Sequence, residues 1–208
     1  MADKETSRVE AFSDGVFAIA ITLLILEIRV PHLPSEAGNG ALAGALRALW
    51  PSFLAFVGSF GAILTMWINH HEFFKLLHRV DRPFMYANGF LLLLVTFVPF
   101  PTAVVAAYLD RPGAQAAMAF YCGTYVLISA AYNLLWYVGA RDRRLIRDGV
   151  PDRALRRIRN AYLAGSPIYL LATAAAFWSP LVAFALCTGL WVLWARLDYS
   201  WRPAREGS

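Results

Sequence analysis

Three groups of side chains in this sequence are of types that do chemistry in an apolar setting. Asp14 follows Ser13 and precedes a long aliphatic run, with Arg8 about two turns earlier and Glu27 at the far end of the run. Carboxylates so placed attract cations or pair with a base, and a low-dielectric layer tolerates them only where they are paired or hydrated. Ser13 or Asp14 could equally cap a helix that starts there. His70 and His71 stand side by side, and their residue type ligates metals and relays protons. Neighbouring positions on a helix point about 100° apart, which keeps both rings from one ion and favours structural hydrogen bonding, with pH sensitivity as a further role. The third group is apolar. Ile19, Leu23 and Leu26 recur at i, i+4 and i+7, and Thr22 lies one turn from Ile19 and from Leu26. On a helix they share one face, as lipid-contacting and helix-packing stripes also do, so periodicity alone identifies no pore.

Composition sets the elements that must hold these residues. Of 208 residues, 59% are hydrophobic and 16% charged, and the mean hydropathy is +0.50; soluble domains carry about 25% charged residues. The apolar residues fall in runs long enough to cross a roughly 30 Å hydrocarbon layer, which takes about 20 residues of helix. Backbone groups have no water to bond in that layer, so each run is expected to be helical. The fold class expected is an all-α membrane protein, one domain over residues 1–208. Its six spans cover about residues 12–30, 49–71, 83–108, 114–140, 162–178 and 181–199. Pro31 closes the first span and a Pro/Gly/Ser-containing loop runs on to Gly44; Asp110 to Gly113 form a short turn, and Ser179-Pro180 a tight hairpin. A soluble helical bundle would not confine its charges to the gaps between the runs.

With the N-terminus inside, sixteen of the 19 Lys and Arg residues fall on the inner side. Only Arg29, Arg47 and Arg111 fall outside, which puts both termini in the cytoplasm of a multi-pass cell-membrane protein. The same bias accounts for the net charge of +5 without a nucleic-acid partner. The basic segment from Arg141 to Arg159 reads first as a topology determinant facing anionic headgroups, and otherwise as an RNA or lipid patch. Cys122 and Cys187 sit inside apolar runs without metal spacing, as small buried hydrophobes do. The polar, mixed-charge start lacks the basic region of a cleaved signal peptide, so the first helix is expected to stay in the mature chain. No Ser/His/Asp grouping, metal-spaced cluster or phosphate loop stands out, so neither an enzyme nor a cofactor is expected.

One pattern is more specific. Arg8-x-x-x-Phe12-Ser13-Asp14 is followed by Ala20-Ile21-Thr22-Leu23-Leu24-Ile25-Leu26-Glu27. Trp67-Ile68-Asn69-His70-His71-x-x-Phe74 and Asp81 come next, then Asn88 and Pro99-Phe100-Pro101-Thr102. In this order, over residues 8–102, the elements resemble the signature of the transmembrane protein 175 family of potassium channels. The resemblance implies six transmembrane helices per chain and, from a single six-helix repeat, a homotetramer whose first helices line a central pore. It implies a constriction at Ile19, further apolar layers at Leu23 and Leu26, and a preference for potassium aided by Thr22. Arg8, Phe12, Ser13 and Asp14 would tie the first helix to its neighbours together with Trp67, His70 and His71. The partners implied are potassium ions in transit, the bilayer and the chain's own copies, with no resident metal. The rival reading of the residues is a proton-coupled secondary transporter using Asp14 and His70/His71. Transporters usually carry an internal repeat and interrupted helices near the midplane; no convincing repeat is seen in the 208 residues, and the charged groups sit near the span ends. A non-conducting scaffold also fits the composition.

Overall fold

The computed structural model describes residues 2–195; the expectations for Arg196, Arg202, Arg205 and the end of the sixth span lie outside the described residues. Helix α1 (Ala2–Leu23) begins well before residue 12, since Lys4, Glu5, Arg8 and Glu10 are good helix formers. Neither Ser13 nor Asp14 is therefore a cap. A 3-10 turn, Leu24–Glu27, continues α1 until Ile28 goes extended. Helix α2 (Asn39–Ala48) occupies part of the expected loop and buries none of its residues. Its alanines and Leu42, Leu46 and Arg47 outweigh the glycines that mark a loop.

Helix α3 (Trp50–Lys75) opens on Pro51, a residue suited to a first turn. Helix α4 (Arg82–Phe97) is capped by Asp81, whose Oδ1 accepts from the Phe84 amide at 3.0 Å. Pro99 and Pro101 start α5 (Pro99–Tyr108), but Val98 keeps helical dihedrals, so the pair runs on as a 27-residue apolar segment. Helix α6 (Ala114–Ala140) follows a short turn. Helix α7 (Asp152–Ala175) starts inside the segment read as a charged connector. Leu155, Ile158, Tyr162, Gly165, Tyr169 and Ala172 are buried at alternating spacings of three and four, the stripe of one continuous helix. Helix α8 is described over Pro180–Ala195.

Among the described residues, four helical segments are long and apolar enough to cross a membrane: Lys4–Glu27, Trp50–Lys75, Arg82–Tyr108 and Ala114–Arg143. Helix α8 is apolar over its 16 described residues, and α7 carries Arg153, Arg156, Arg157 and Arg159 in its opening turns. Helix α1 packs on α3 and α4, while α6 sits centrally against α4, α5, α7 and α8. Phe73, Phe84, Met118, Tyr121 and Leu135 fill the core at 0% exposure. Where helices approach closely, small residues make it possible. A Cβ at Gly58 would stand 2.5 Å from the Phe184 ring, and one at Gly139 would stand 2.7 Å from Phe73. Polar seams add specificity: Ser59 Oγ shares hydrogen bonds with Thr102 Oγ1 at 2.7 Å and Tyr121 Oη at 3.0 Å. Cys122 and Cys187 are free and buried.

A strap joins the α3–α4 and α6–α7 connectors. The His78 amide donates to the Leu145 carbonyl at 3.0 Å, the Arg147 amide to that of Leu76 at 2.8 Å, and Arg144 pairs with Asp81. The second connector turns sharply, with Asp142 and Arg143 at φ 54° and 55°.

Candidate functional site

Helix α1 has two unlike faces. Phe17, Ala20 and Leu24 point inward at 0–2% exposure, against α3 and α4. Ile19, Leu23 and Leu26 point outward at 60%, 41% and 66%, and Thr22 is exposed beside them. The 3-10 turn shapes this stripe. In an α-helix, three further residues would rotate Leu26 some 60° away from Leu23, whereas three residues per turn keep it in line. From Ile19 to Leu26 the stripe is about 12 Å long at those rises.

The Thr22 hydroxyl donates to the Ile19 carbonyl at 2.9 Å. Its proton is thereby turned into its own helix, which leaves the oxygen lone pairs as acceptors on the exposed face. The stripe is thus an apolar surface with one hydroxyl acceptor between its large aliphatic side chains. No group of three or more His, Cys, Asp or Glu residues able to hold a metal occurs among the described residues.

The inner face is held by polar contacts at the end of the bundle that carries the strap. Trp67 Nε1 donates to Asp14 Oδ1 at 2.8 Å, and His71 Nδ1 meets Glu10 Oε1 at 2.8 Å. Helices α1 and α3 run antiparallel, so four residues back along one matches four forward along the other. Glu10/His71 and Asp14/Trp67 are consecutive rungs, and the Trp67 and His71 rings stack 5.9 Å apart.

A third contact reaches α4. Asn88 Nδ2 donates to Ser13 Oγ at 2.9 Å, and Ser13 Oγ donates to the Val9 carbonyl at 2.8 Å. With its amide nitrogen so used, Asn88 offers its oxygen to His70, and His70 Nε2 donates to it at 2.8 Å. Both ends of the Asn88 amide are thus engaged. His70 is 0% exposed between Phe17 and Phe74, and its Nδ1 has no partner.

The structure therefore brings together Ser13, Asp14, Trp67, His70 and His71. It leaves Arg8 and Phe12 exposed, Phe12 at 67%, and no hydrogen bond joins either to the cluster among the described residues. Sequence reasoning left two working members out of its site. Glu10 was read as part of a polar start, although it stands one turn before Asp14 just as His71 stands one turn after Trp67. Asn88 was noted only as a position of the pattern; a lone amide in a leucine-rich run is a signal that it has a partner.

Comparison with known proteins gives a consistent answer. The family described as endosomal/lysosomal potassium channel TMEM175 matches residues 8–99. A protein of Chamaesiphon minutus described as a potassium channel is 47% identical over 191 residues, covering 92% of this chain and 94% of its own. One of Streptomyces collinus, described in the same way, is 42% identical over 205 residues, covering 98% of both. The crystal structure of a lysosomal potassium-selective channel TMEM175 homolog from Chamaesiphon minutus superposes with a TM-score of 0.83 at 46% identity. It covers 92% of this chain and 97% of the other.

Proposed function

The chain belongs to the TMEM175 family and is a multi-pass membrane protein, and on that premise we propose that it is a potassium-permeable cation channel. It works as a homotetramer in the cell membrane with six spans per chain and both termini cytoplasmic, and four copies of α1 enclose the pore. The carrying observation is the unburied apolar face of α1. Only 22% of its apolar window is buried within the chain, against 39–56% for the other three long apolar segments. A helix tied down along one side and bare along the other supports a lining role, and in a closed four-fold assembly one helix per subunit is enough.

Ile19 forms the constriction, Leu23 and Leu26 add apolar layers, and Thr22 supplies the acceptor. Aliphatic rings give a cation no ligands, so passage depends on keeping part of the hydration shell, and narrow apolar segments gate by dewetting. Potassium sheds water at lower cost than sodium, which yields a modest preference. Asp14 and Glu27, near the two ends of the lining, raise the local cation concentration.

The test is flux and single-channel recording in liposomes with Ile19→Ala and Ile19→Asn. Both variants are expected to raise potassium flux and lower discrimination against sodium. Unchanged conductance and selectivity in both would sink the constriction. Saturating, proton-coupled flux without unitary currents in the parent would replace the channel by a transporter.

A further inference from the structure

Where α6 gives way to α7, the two antiparallel helices leave a groove of about 740 Å³. Leu134, Tyr137 and Arg141 line it from α6, and Arg156, Arg159 and Leu163 line it from α7, each set at i, i+3 and i+7. All six are exposed. Because the helices run in opposite directions, both stripes put their arginines toward the same end, next to the strap. Leu134 and Leu163 lie about 10 Å deeper. The groove therefore grades from guanidinium to hydrocarbon along the direction in which a leaflet grades from phosphate to acyl chain, with Tyr137 at the level favoured by interfacial aromatics.

Two of the three guanidinium groups are available. Arg141 stacks 5.8 Å from the Tyr137 ring centroid and is 3.4 Å from Asp142. The one carboxylate lining the groove, Asp152, is engaged by Arg143. Arg156 and Arg159 have no ion-pair partner among the described residues. Two unpaired forked donors one turn apart match the oxygens of a phosphodiester, and their apolar floor gives no purchase to a nucleic acid.

We propose that this groove is a binding site for an anionic phospholipid. Arg156 and Arg159 hold the phosphate, Arg141 flanks it, and an acyl chain lies along Leu134, Tyr137 and Leu163. The site rests on the membrane reading of the chain but not on what the pore conducts.

Native mass spectrometry of the full chain in mild detergent tests it, with phosphatidylglycerol and phosphatidylcholine of the same acyl chains as probes. Phosphatidylglycerol is expected to be retained in preference, and R156Q/R159Q to weaken that retention about thirtyfold while leaving phosphatidylcholine unchanged. R47Q/R111Q removes the same charge from elsewhere and is expected to bind like the parent. Leu163→Gln keeps the arginines and is expected to weaken retention of both lipids. Equal retention of the two lipids by the parent, undiminished binding by R156Q/R159Q, or an equal loss in R47Q/R111Q would each overturn the site. So would full retention by Leu163→Gln, or displacement by glycerol phosphate at concentrations equal to the lipid, which would mark a site for the free anion.

Discussion

Replacing Asn88 by leucine removes two hydrogen bonds at once, one from α4 to α1 and one from α4 to α3. Asn88 is 2% exposed, accepting from His70 Nε2 at 2.8 Å and donating to Ser13 Oγ at 2.9 Å. Ser13 keeps its own bond to the Val9 carbonyl, so its loss is small. His70 is worse placed. Its Nδ1 already lacks a partner, and the substitution leaves Nε2–H unsatisfied as well, between two phenylalanine rings. A stranded buried donor costs about 1–3 kcal/mol. Taking about 2 kcal/mol, the apparent Tm in detergent falls by ~4–8 °C for a chain of this size. The more searching arm is the double variant. Replacing both partners by apolar groups of similar shape is nearly neutral, so His70→Phe with Asn88→Leu should melt closer to the parent than Asn88→Leu alone. A double variant whose loss equals the sum of the two single losses, or a single variant that melts with the parent, would refute the reasoning.

Two other substitutions probe how α1 and the bundle are held. Trp67→Phe keeps an aromatic ring beside His71 but deletes the donor to Asp14. It should cost about 1 kcal/mol, read as a ~2–4 °C drop in apparent Tm, and add little further once Asp14→Ala has removed the acceptor. Gly58→Ala drives a methyl to 2.5 Å from the Phe184 ring and 2.9 Å from Thr188 Cγ2. It should cost about 1–3 kcal/mol by overpacking α3 against α8, and Phe184→Leu in the same chain should recover part of that in a thermal melt.

The apolar runs made the all-helical membrane class legible, since continuous runs of about 20 apolar residues suit helices, whereas barrel strands are shorter and alternate. The places where the sequence misled are those where charge stood in for structure. Lys4, Glu5, Arg8 and Glu10 lower the hydropathy at the start of α1 and give it the look of a polar segment outside the helix, yet these are helix formers and Glu10 holds His71. The arginines at the opening of α7 give it the composition of a connector, although Leu155 and Ile158 continue the buried stripe of Tyr162 and Tyr169. In both, the period carried the information and the composition hid it. The exposed stripe at Ile19, Leu23 and Leu26 could be placed on one face from spacing, but that it lies outside the chain's own core is a matter of which side α3 and α4 cover. The pairing of Glu10 and Asp14 with His71 and Trp67 depends on the antiparallel register of two helices, which no local pattern encodes.

The two polar rungs between α1 and α3 lie at the middle of α1, at Glu10 and Asp14; from Phe17 onward that helix packs on the bundle through apolar side chains. Side chains packed by shape alone slide at lower cost than hydrogen bonds break, so the rungs act as a fulcrum and the rest of α1 as the arm of a lever. Ile19 lies about 7 Å beyond Asp14 along the axis and Leu26 about 19 Å. A tilt of about 5° at the fulcrum therefore moves the far end of the stripe by ~1.7 Å and the near end by only ~0.6 Å, at the rises of those helices. In the proposed pore, a rocking of α1 is therefore expected to change the Leu26 level more than the Ile19 level.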